Sequence, residues 1–431
     1  MPAAWAIDLT APAPPETDRR GWVRHLSDPR GSVVAALGVT QIIGYGTLYY
    51  AFPILVPALS QDFDVGAAYL FGLLSFGLLL SGLAAPTLGR SLDRFGAARV
   101  MSWGSLAMAV LLMLLAIAPN FGTFAIVMLL IEVISFAVLY DAAFATLGQK
   151  RPGDTRRAIT RLTLIAGFAS TIFWPLTGWL VQELGWRGVQ GVFAALNLFI
   201  AFPLHRWIAR GPQDRPDRPT AGTAAAAAPV FAMITGAEAQ RAFVLLGIGF
   251  ALTGMGIAAL GVHLVPILLA QGLGEMAYIA AMIMGPAQVA IRVVDATALR
   301  HQHPLAVAIL SAAAIPVALV LLILPGPAPV MAIAIAVLLG VGGGLSSIVR
   351  GSVPVALFGT SGLGLRLGRL AAIRSVLGAA SPFLFALAAE QVGIGFAVSA
   401  ALALTLLGLA AVVALHLQLS ASGAVPPLRR P

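Results

Sequence analysis

The sequence predicts an all-α membrane protein: twelve transmembrane helices in two pseudo-symmetric six-helix bundles. Three observations carry this expectation: a series of long apolar runs, an alternation of charge between successive connections, and a short repeat shared by the two halves. The runs come first. Of 431 residues, 59% are apolar and 10% charged, where a soluble domain carries about 25% charged residues. So few ionisable groups cannot furnish a polar shell. Apolar segments fall at 32–59, 66–88, 100–118, 121–146, 159–182, 188–205, 242–271, 276–298, 304–325, 328–348, 367–389 and 393–416. Runs of this length cross a ~30 Å hydrocarbon core as helices, which satisfy their own backbone hydrogen bonds.

The connections alternate in charge. Arg19, Arg20, Arg24 and Arg30 precede the first segment; Arg90, Arg94 and Arg99 follow the second; Lys150, Arg151, Arg156 and Arg157 follow the fourth. Arg206, Arg210, Arg215 and Arg218 follow the sixth, and Arg300, Arg350, Arg366, Arg429 and Arg430 fall on the same side. The other side has Arg187 with the acids Asp62, Asp64, Glu183, Glu275 and Glu390. The positive-inside rule then places both termini in the cytoplasm of a bacterial-type inner (plasma) membrane. A formal charge of +9 thus reflects orientation and implies no nucleic-acid partner. The polar, Pro-rich residues 1–31 lack a signal-peptide pattern and read as a cytoplasmic tail. The organisation expected is a bundle at 32–205, a cytoplasmic linker at 206–240 containing AGTAAAAAP, a bundle at 241–416 and a tail at 417–431.

The halves share short patterns. Tyr50-x-x-Pro53-Ile-Leu in segment one matches His263-x-x-Pro266-Ile-Leu in segment seven. Pro175 precedes Glu183 by eight residues, as Pro382 precedes Glu390. Repeated halves with a site between them near the bilayer midplane are a transporter architecture.

The stretch Gly89-Arg-Ser-Leu-Asp93-Arg94-Phe-Gly96-Ala-Ala-Arg99, between segments two and three, resembles the signature loop of the major facilitator superfamily, G-x-x-x-D-R-x-G followed by basic residues. Gly89 allows close helix approach, Asp93 can cap a helix start or pair with a neighbouring arginine, and Gly96 permits a tight turn. The resemblance implies a loop that braces the inward-closed state; Ala97 and Ala98 depart from the family's basic residues there. Segment five from Gly167 to Gly178 is also similar to this superfamily. Gly185-Trp186-Arg187, Gly343-Gly344-Leu345 and Ile348-Val-Arg350-Gly351 resemble its monocarboxylate porter and oxalate/formate antiporter branch.

Ionisable residues inside spans cost ~3 kcal/mol or more and call for a reason. Arg292 in segment eight sits where that branch has a carboxylate-binding arginine, and guanidinium suits carboxylate as a fork of donors. The alternative is a structural pair with Asp295, three residues on. Arg374 in segment eleven takes the repeat position of Gly167 and is a second candidate cation, or snorkels with Arg369. Asp141 is expected to pair with Arg161 in a structural or gating role. Glu132 lies deeper, with no local partner; as a neutral acid it suits proton coupling, or packs as a hydrogen-bonded core residue. His263 is taken as the histidine within a span, either titrating or packing. Gln41, Tyr45 and Tyr49 recur every four residues and are expected to line a cavity.

With no cysteine, thiolate metal sites and Cys nucleophiles are excluded. H-x-x-x-H, G-x-S-x-G and G-x-x-x-x-G-K-S/T are absent from the sequence, which argues against an intramembrane enzyme or an ATP-driven pump. No cofactor is expected. The function predicted is secondary transport by a monomer of a small organic solute, foremost a carboxylate, coupled to protons; a proton-driven multidrug exporter is the alternative. A cysteine introduced at Ala224 should stay unlabelled by an impermeant maleimide in intact cells and react after permeabilisation; labelling in intact cells would reverse the topology.

Overall fold

The computed structural model describes residues 29–211, 234–324 and 329–426. Most of the expected tails and linker, with Arg19, Arg20, Arg24, Arg215, Arg218, Ala224, Arg429 and Arg430, lie outside the described residues. The described elements are helical throughout: α1 (Pro29–Tyr45), a π-helical turn (Gly46–Tyr50), α2 (Phe52–Phe63), α3 (Ala67–Phe95), α4 (Ala97–Ala116), α5 (Phe121–Ser135) and α6 (Tyr140–Lys150). There follow α7 (Thr155–Ala166), α8 (Ala169–Leu196), a second π turn (Asn197–Ala201) and α9 (Phe202–Arg210). The second half comprises α10 (Gly236–Ala270), α11 (Glu275–Thr297), α12 (Pro304–Ile323), α13 (Pro329–Phe358), α14 (Leu363–Gln391) and α15 (Ile394–Ala421).

By length and hydropathy eleven elements among the described residues can span a membrane, one of them a 56-residue run from Thr155 to Arg210. At 1.5 Å per residue that run is more than twice the hydrocarbon thickness. It turns back at Gly185, whose φ of 65° and ψ of 171° are non-helical, giving two spans and twelve in all. An even count returns the last helix to the face where the first begins, here termed the terminal face. Turns at the opposite face are clipped by side chains. Arg187 donates to Asp62 (2.5 Å) and to the Ala118 carbonyl (3.1 Å), and Trp186 Nε1 donates to Asp62 (3.2 Å). The Gly-Trp-Arg triplet therefore ties the turn after span five to spans one and three.

Several boundaries differ from the sequence reading. The signature stretch is helical through Phe95, and only Gly96 (φ 88°) turns. Helix α13 continues ten residues past 348, so Arg350 lies inside a span instead of in a terminal-face loop. Segment four is broken at 136–139 and segment five at 167–168.

The two bundles meet along α3 and α14. A Cβ added to Gly89 would collide with the Gly364 backbone, one on Gly364 would lie 2.6 Å from the Gly89 carbonyl, and one on Gly368 would collide with Ala85. Backbone, unlike a side-chain tip, cannot turn aside, so these glycines set the crossing distance. Asp93 closes the seam: its carboxylate oxygens accept from the Gly364 and Leu365 amides (2.9 and 2.8 Å), two of the orphan donors at the α14 N-terminus. Arg366 donates to the Phe358 and Ser361 carbonyls (2.7 and 2.8 Å), fixing the preceding turn. Arg94 instead lies over Phe95, and Arg99 is exposed. Gly368→Val should therefore part α3 from α14. A cysteine replacing the fully buried Leu92 should then become reactive to maleimide; unchanged reactivity would show that the seam does not depend on backbone contact.

Candidate functional site

Three departures from regular helix in the first bundle frame the centre of the protein. The α1 helix widens into a π turn at Gly46, which packs directly against the Phe173 ring. The break at 136–139 starts α6 at Tyr140, and α7 gives way to α8 at Gly167. Breaking a helix in an apolar medium frees carbonyls that need donors. Gln41 supplies one: its Nε2 donates to the Val138 carbonyl at 2.8 Å. Gln41 is fully buried, so it closes the break and does not line a cavity, which corrects the expectation that it shares an open face with Tyr45 and Tyr49. Those two do adjoin, with ring centroids 6.3 Å apart, and Tyr49 is 55% exposed.

Against these breaks the second bundle sets three arginines. Arg350, on α13, donates from Nη2 to the Tyr45 hydroxyl (3.1 Å), and its guanidinium lies 5.0 Å from the Tyr140 ring centroid. Tyr140 in turn lies 4.5 Å from Tyr45 and stacks on Phe144, which fills the hollow left by Gly351 beside Arg350. Arg374, on α14, places Nη2 3.6 Å from Asp141 Oδ2. That is an ion pair between the bundles, longer than a charge-assisted hydrogen bond. Arg292, on α11, is 6% exposed. It has neither hydrogen bond nor ion pair among the described residues, and its Nε is buried without a partner. Its Nη1 lies 2.5 Å from where a Cβ on Gly167 would stand. The guanidinium tip thus packs directly against this glycine.

The expected pairings are corrected accordingly. Asp295 does not pair with Arg292; its Oδ2 accepts from Thr160 Oγ1 on α7 at 3.1 Å, with Arg156 also nearby. Asp295 thus finds its partner across the interface and not along its own helix. Asp141 does not pair with Arg161, which is exposed on α7, because the break at 136–139 turns Asp141 towards α14. Asp295 is to α7 what Asp93 is to α14: each aspartate of span two or eight grips the start of span eleven or five, on the terminal half of the molecule.

The remaining candidates lie outside this cluster. Glu132 is 5% exposed with its methylenes against Gly77 on α3, and it makes no ion pair among the described residues. His263 donates from Nε2 to the Pro382 carbonyl (3.0 Å), an acceptor only, and stacks on Phe385. Its repeat counterpart Tyr50 lies edge-on to Trp174, beside Pro175. His263 is not alone within a span. His205, on α9, is 1% exposed and bridges Ser105 (2.8 Å) and Thr40 (2.9 Å), and His416 lies within α15. Arg350, Tyr140, Thr160 and His205 were not singled out from sequence as site or core polar residues.

The cluster predicts an ordering of stabilities. Removing Arg374 leaves Asp141 with Arg350 still within electrostatic reach, whereas removing Asp141 leaves two arginines facing each other. Asp141→Ala should lower thermal stability more than Arg374→Ala, with a loss of about 3 kcal/mol. Equal losses would show that Arg350 does not share the carboxylate.

Comparison with known proteins places this geometry. The profile of the Major Facilitator Superfamily matches residues 37–382. The probable galactarate/D-glucarate transporter of Escherichia coli (strain K12) is 27% identical over 190 residues, 42% of this chain and 41% of that protein. Human monocarboxylate transporter 11 is 26% identical over 285 residues, 64% of this chain and 55% of that protein. The chain therefore matches about half the length of these relatives. Among solved structures, the human organic anion transporter MFSD10 (TETRAN) superposes with a TM-score of 0.72 at 17% identity, over 89% of this chain and 99% of that one. The E. coli fucose:proton symporter FucP gives 0.65 at 13% identity, over 89% and 98%. The structural likenesses show the fold, and the profile match over residues 37–382 shows the family: the chain belongs to the Major Facilitator Superfamily, whose members are multi-pass membrane transporters.

Proposed function

We propose that the protein carries a small carboxylate across the inner membrane by alternating access, coupled to protons, with the substrate's acid group bound by Arg292. One observation carries this reading: a guanidinium 6% exposed, at the interface of the two bundles, with no partner of its own among the described residues. An isolated buried charge costs several kcal/mol, so it is kept where a ligand of opposite charge completes it. The names of the two relatives, a galactarate/D-glucarate transporter and a monocarboxylate transporter, support a carboxylate. Arg374 and Tyr45 belong to the same lining, and Tyr49 to its exposed rim. Asp93 and Asp295 act as paired latches for one conformational state, and both termini lie in the cytoplasm. Glu132 is the proton-coupling acid. A cationic-drug exporter fits less well, because arginines outnumber carboxylates in the cluster.

Counterflow in proteoliposomes against a panel of labelled mono- and dicarboxylates tests the reading. A transported carboxylate should bind Arg292→Gln more than tenfold more weakly, a loss of about 2–4 kcal/mol. Arg292→Lys should recover only part, since it keeps the charge and loses the fork. Glu132→Gln should retain counterflow and lose acceleration by a pH gradient. Unchanged affinity in Arg292→Gln would rule that residue out as the ligand, and gradient-driven transport by Glu132→Gln would exclude it as the coupling acid.

A further inference from the structure

The arginine that the sequence placed outside the membrane changes the charge of the site. Arg350, Arg292 and Arg374 all project from the second bundle, and Asp141 is the one acid in ion-pair range of any of them among the described residues. Three guanidiniums against one carboxylate leave two positive charges. Their hydrogen-bonding capacity is also unused. Among the described residues Arg292 makes no hydrogen bond, Arg350 makes one, to Tyr45, and the Nε atoms of both are buried without partners. The two cations stand on helices packed backbone to backbone: a Cβ on Gly344 of α13, six residues before Arg350, would collide with Gln288 and Ile291 of α11, next to Arg292. A monoanion on Arg292 would leave Arg350 with a tyrosine hydroxyl and a ring face. These stabilise a cation without neutralising it.

We infer that Arg350 is a second anion anchor, so that the site takes a substrate with two acidic groups, one on Arg292 and the other on Arg350. This rests on the carboxylate reading above and narrows it. Arg374, already engaged by Asp141, adds to the local potential but is not the second anchor. Tyr45 and Tyr140 position Arg350: the hydroxyl holds one edge of the guanidinium and the ring supports its face. The remaining N–H groups stay available for a bidentate contact.

The test uses the purified full-length protein and matched probes: malonate, succinate and glutarate, each against its monoamide, which keeps the shape and removes one charge. Thermal stabilisation is read at equal concentration and ionic strength. The wild type should be stabilised by at least one diacid, with apparent affinity at least about tenfold above that of its monoamide, as expected when one of two charge-assisted contacts is lost. Arg350→Gln should abolish that difference by weakening the diacid and leaving the monoamide within about threefold. Arg350→Lys should keep a reduced diacid preference, and it serves as the variant of record if the glutamine form is not monodisperse. A monoamide that stabilises the wild type as well as its diacid would overturn the two-anchor site while leaving the carboxylate reading intact. So would a diacid preference that survives in Arg350→Gln. Stabilisation by none of the six compounds would count against the carboxylate reading and this inference together, whereas a diacid that stabilises the wild type and Arg292→Gln equally would overturn Arg292 as the first anchor.

Discussion

A guanidinium keeps its charge at any physiological pH, so burying one commits the surrounding structure to supplying partners. Attraction between charges strengthens as the dielectric falls, but so does the cost of stripping their water, and an unmatched cation bears the cost without the gain. The centre of this protein is arranged around that constraint. The first bundle answers with what irregular backbone makes available. A π turn brings Tyr45 and Tyr49 together, a break sets Tyr140 and Asp141 at a helix start, and a glycine at the α7–α8 junction leaves room for Arg292. Regular helices through these positions would hold side chains in fixed rows, and the break at 136–139 would have no use for Gln41.

Closure of the terminal half depends on weaker forces. The α3–α14 seam is glycine against backbone, which gains dispersion from close approach and loses it as soon as the helices part. The aspartate contacts add direction. Asp93 receives two amides of the α14 start, and Asp295 receives a hydroxyl of α7. Hydrogen bonds to a charged acceptor contribute about 1.5–3 kcal/mol each. That is enough to favour one arrangement of the bundles, yet small enough to be reversed by a ligand of differential affinity. Both contacts are on the same half of the molecule, where Gly82 through Asp93, Phe144 with Gly351, and Thr160 with Asp295 join the bundles.

Much of the fold was legible in the sequence because it follows from periodicities of composition. Apolar runs have the length of the bilayer, and charge alternates with each crossing. Arg292 could be singled out by its position alone, since an arginine inside an apolar run is costly anywhere. Arg350 could not. A hydropathy reading ends a span at a charge, so an arginine eight residues before the end of α13 was indistinguishable from one in the loop beyond. The break at 136–139 was hidden for a different reason. Its residues, Phe136 to Leu139, include no glycine or proline, and the interruption is stabilised from a distance by Gln41. The pair of Asp141 with Arg374 joins residues 233 positions apart on different bundles, beyond the reach of any local rule. The pairings expected from sequence, Arg292 with Asp295 and Asp141 with Arg161, stayed within one half of the chain, whereas both aspartates find their partners across the interface, in Thr160 and Arg374.

The internal repeat explains why one bundle carries the cations. Gly167 and Arg374 occupy equivalent positions, each eight residues before a proline of the repeat. In the first half the position is a hollow, and in the second it is a charge. The hollow is filled by Arg292 from the opposite bundle, and the charge meets Asp141 of the opposite bundle. A duplicated scaffold has thus become complementary: arginines on α11, α13 and α14 face tyrosines, an aspartate and a glycine on α1, α6 and α7. All three arginine contacts cross the same interface, so any rotation of one bundle against the other lengthens them together. Arg350 and Arg374, the two cations with protein partners, therefore lose them in concert.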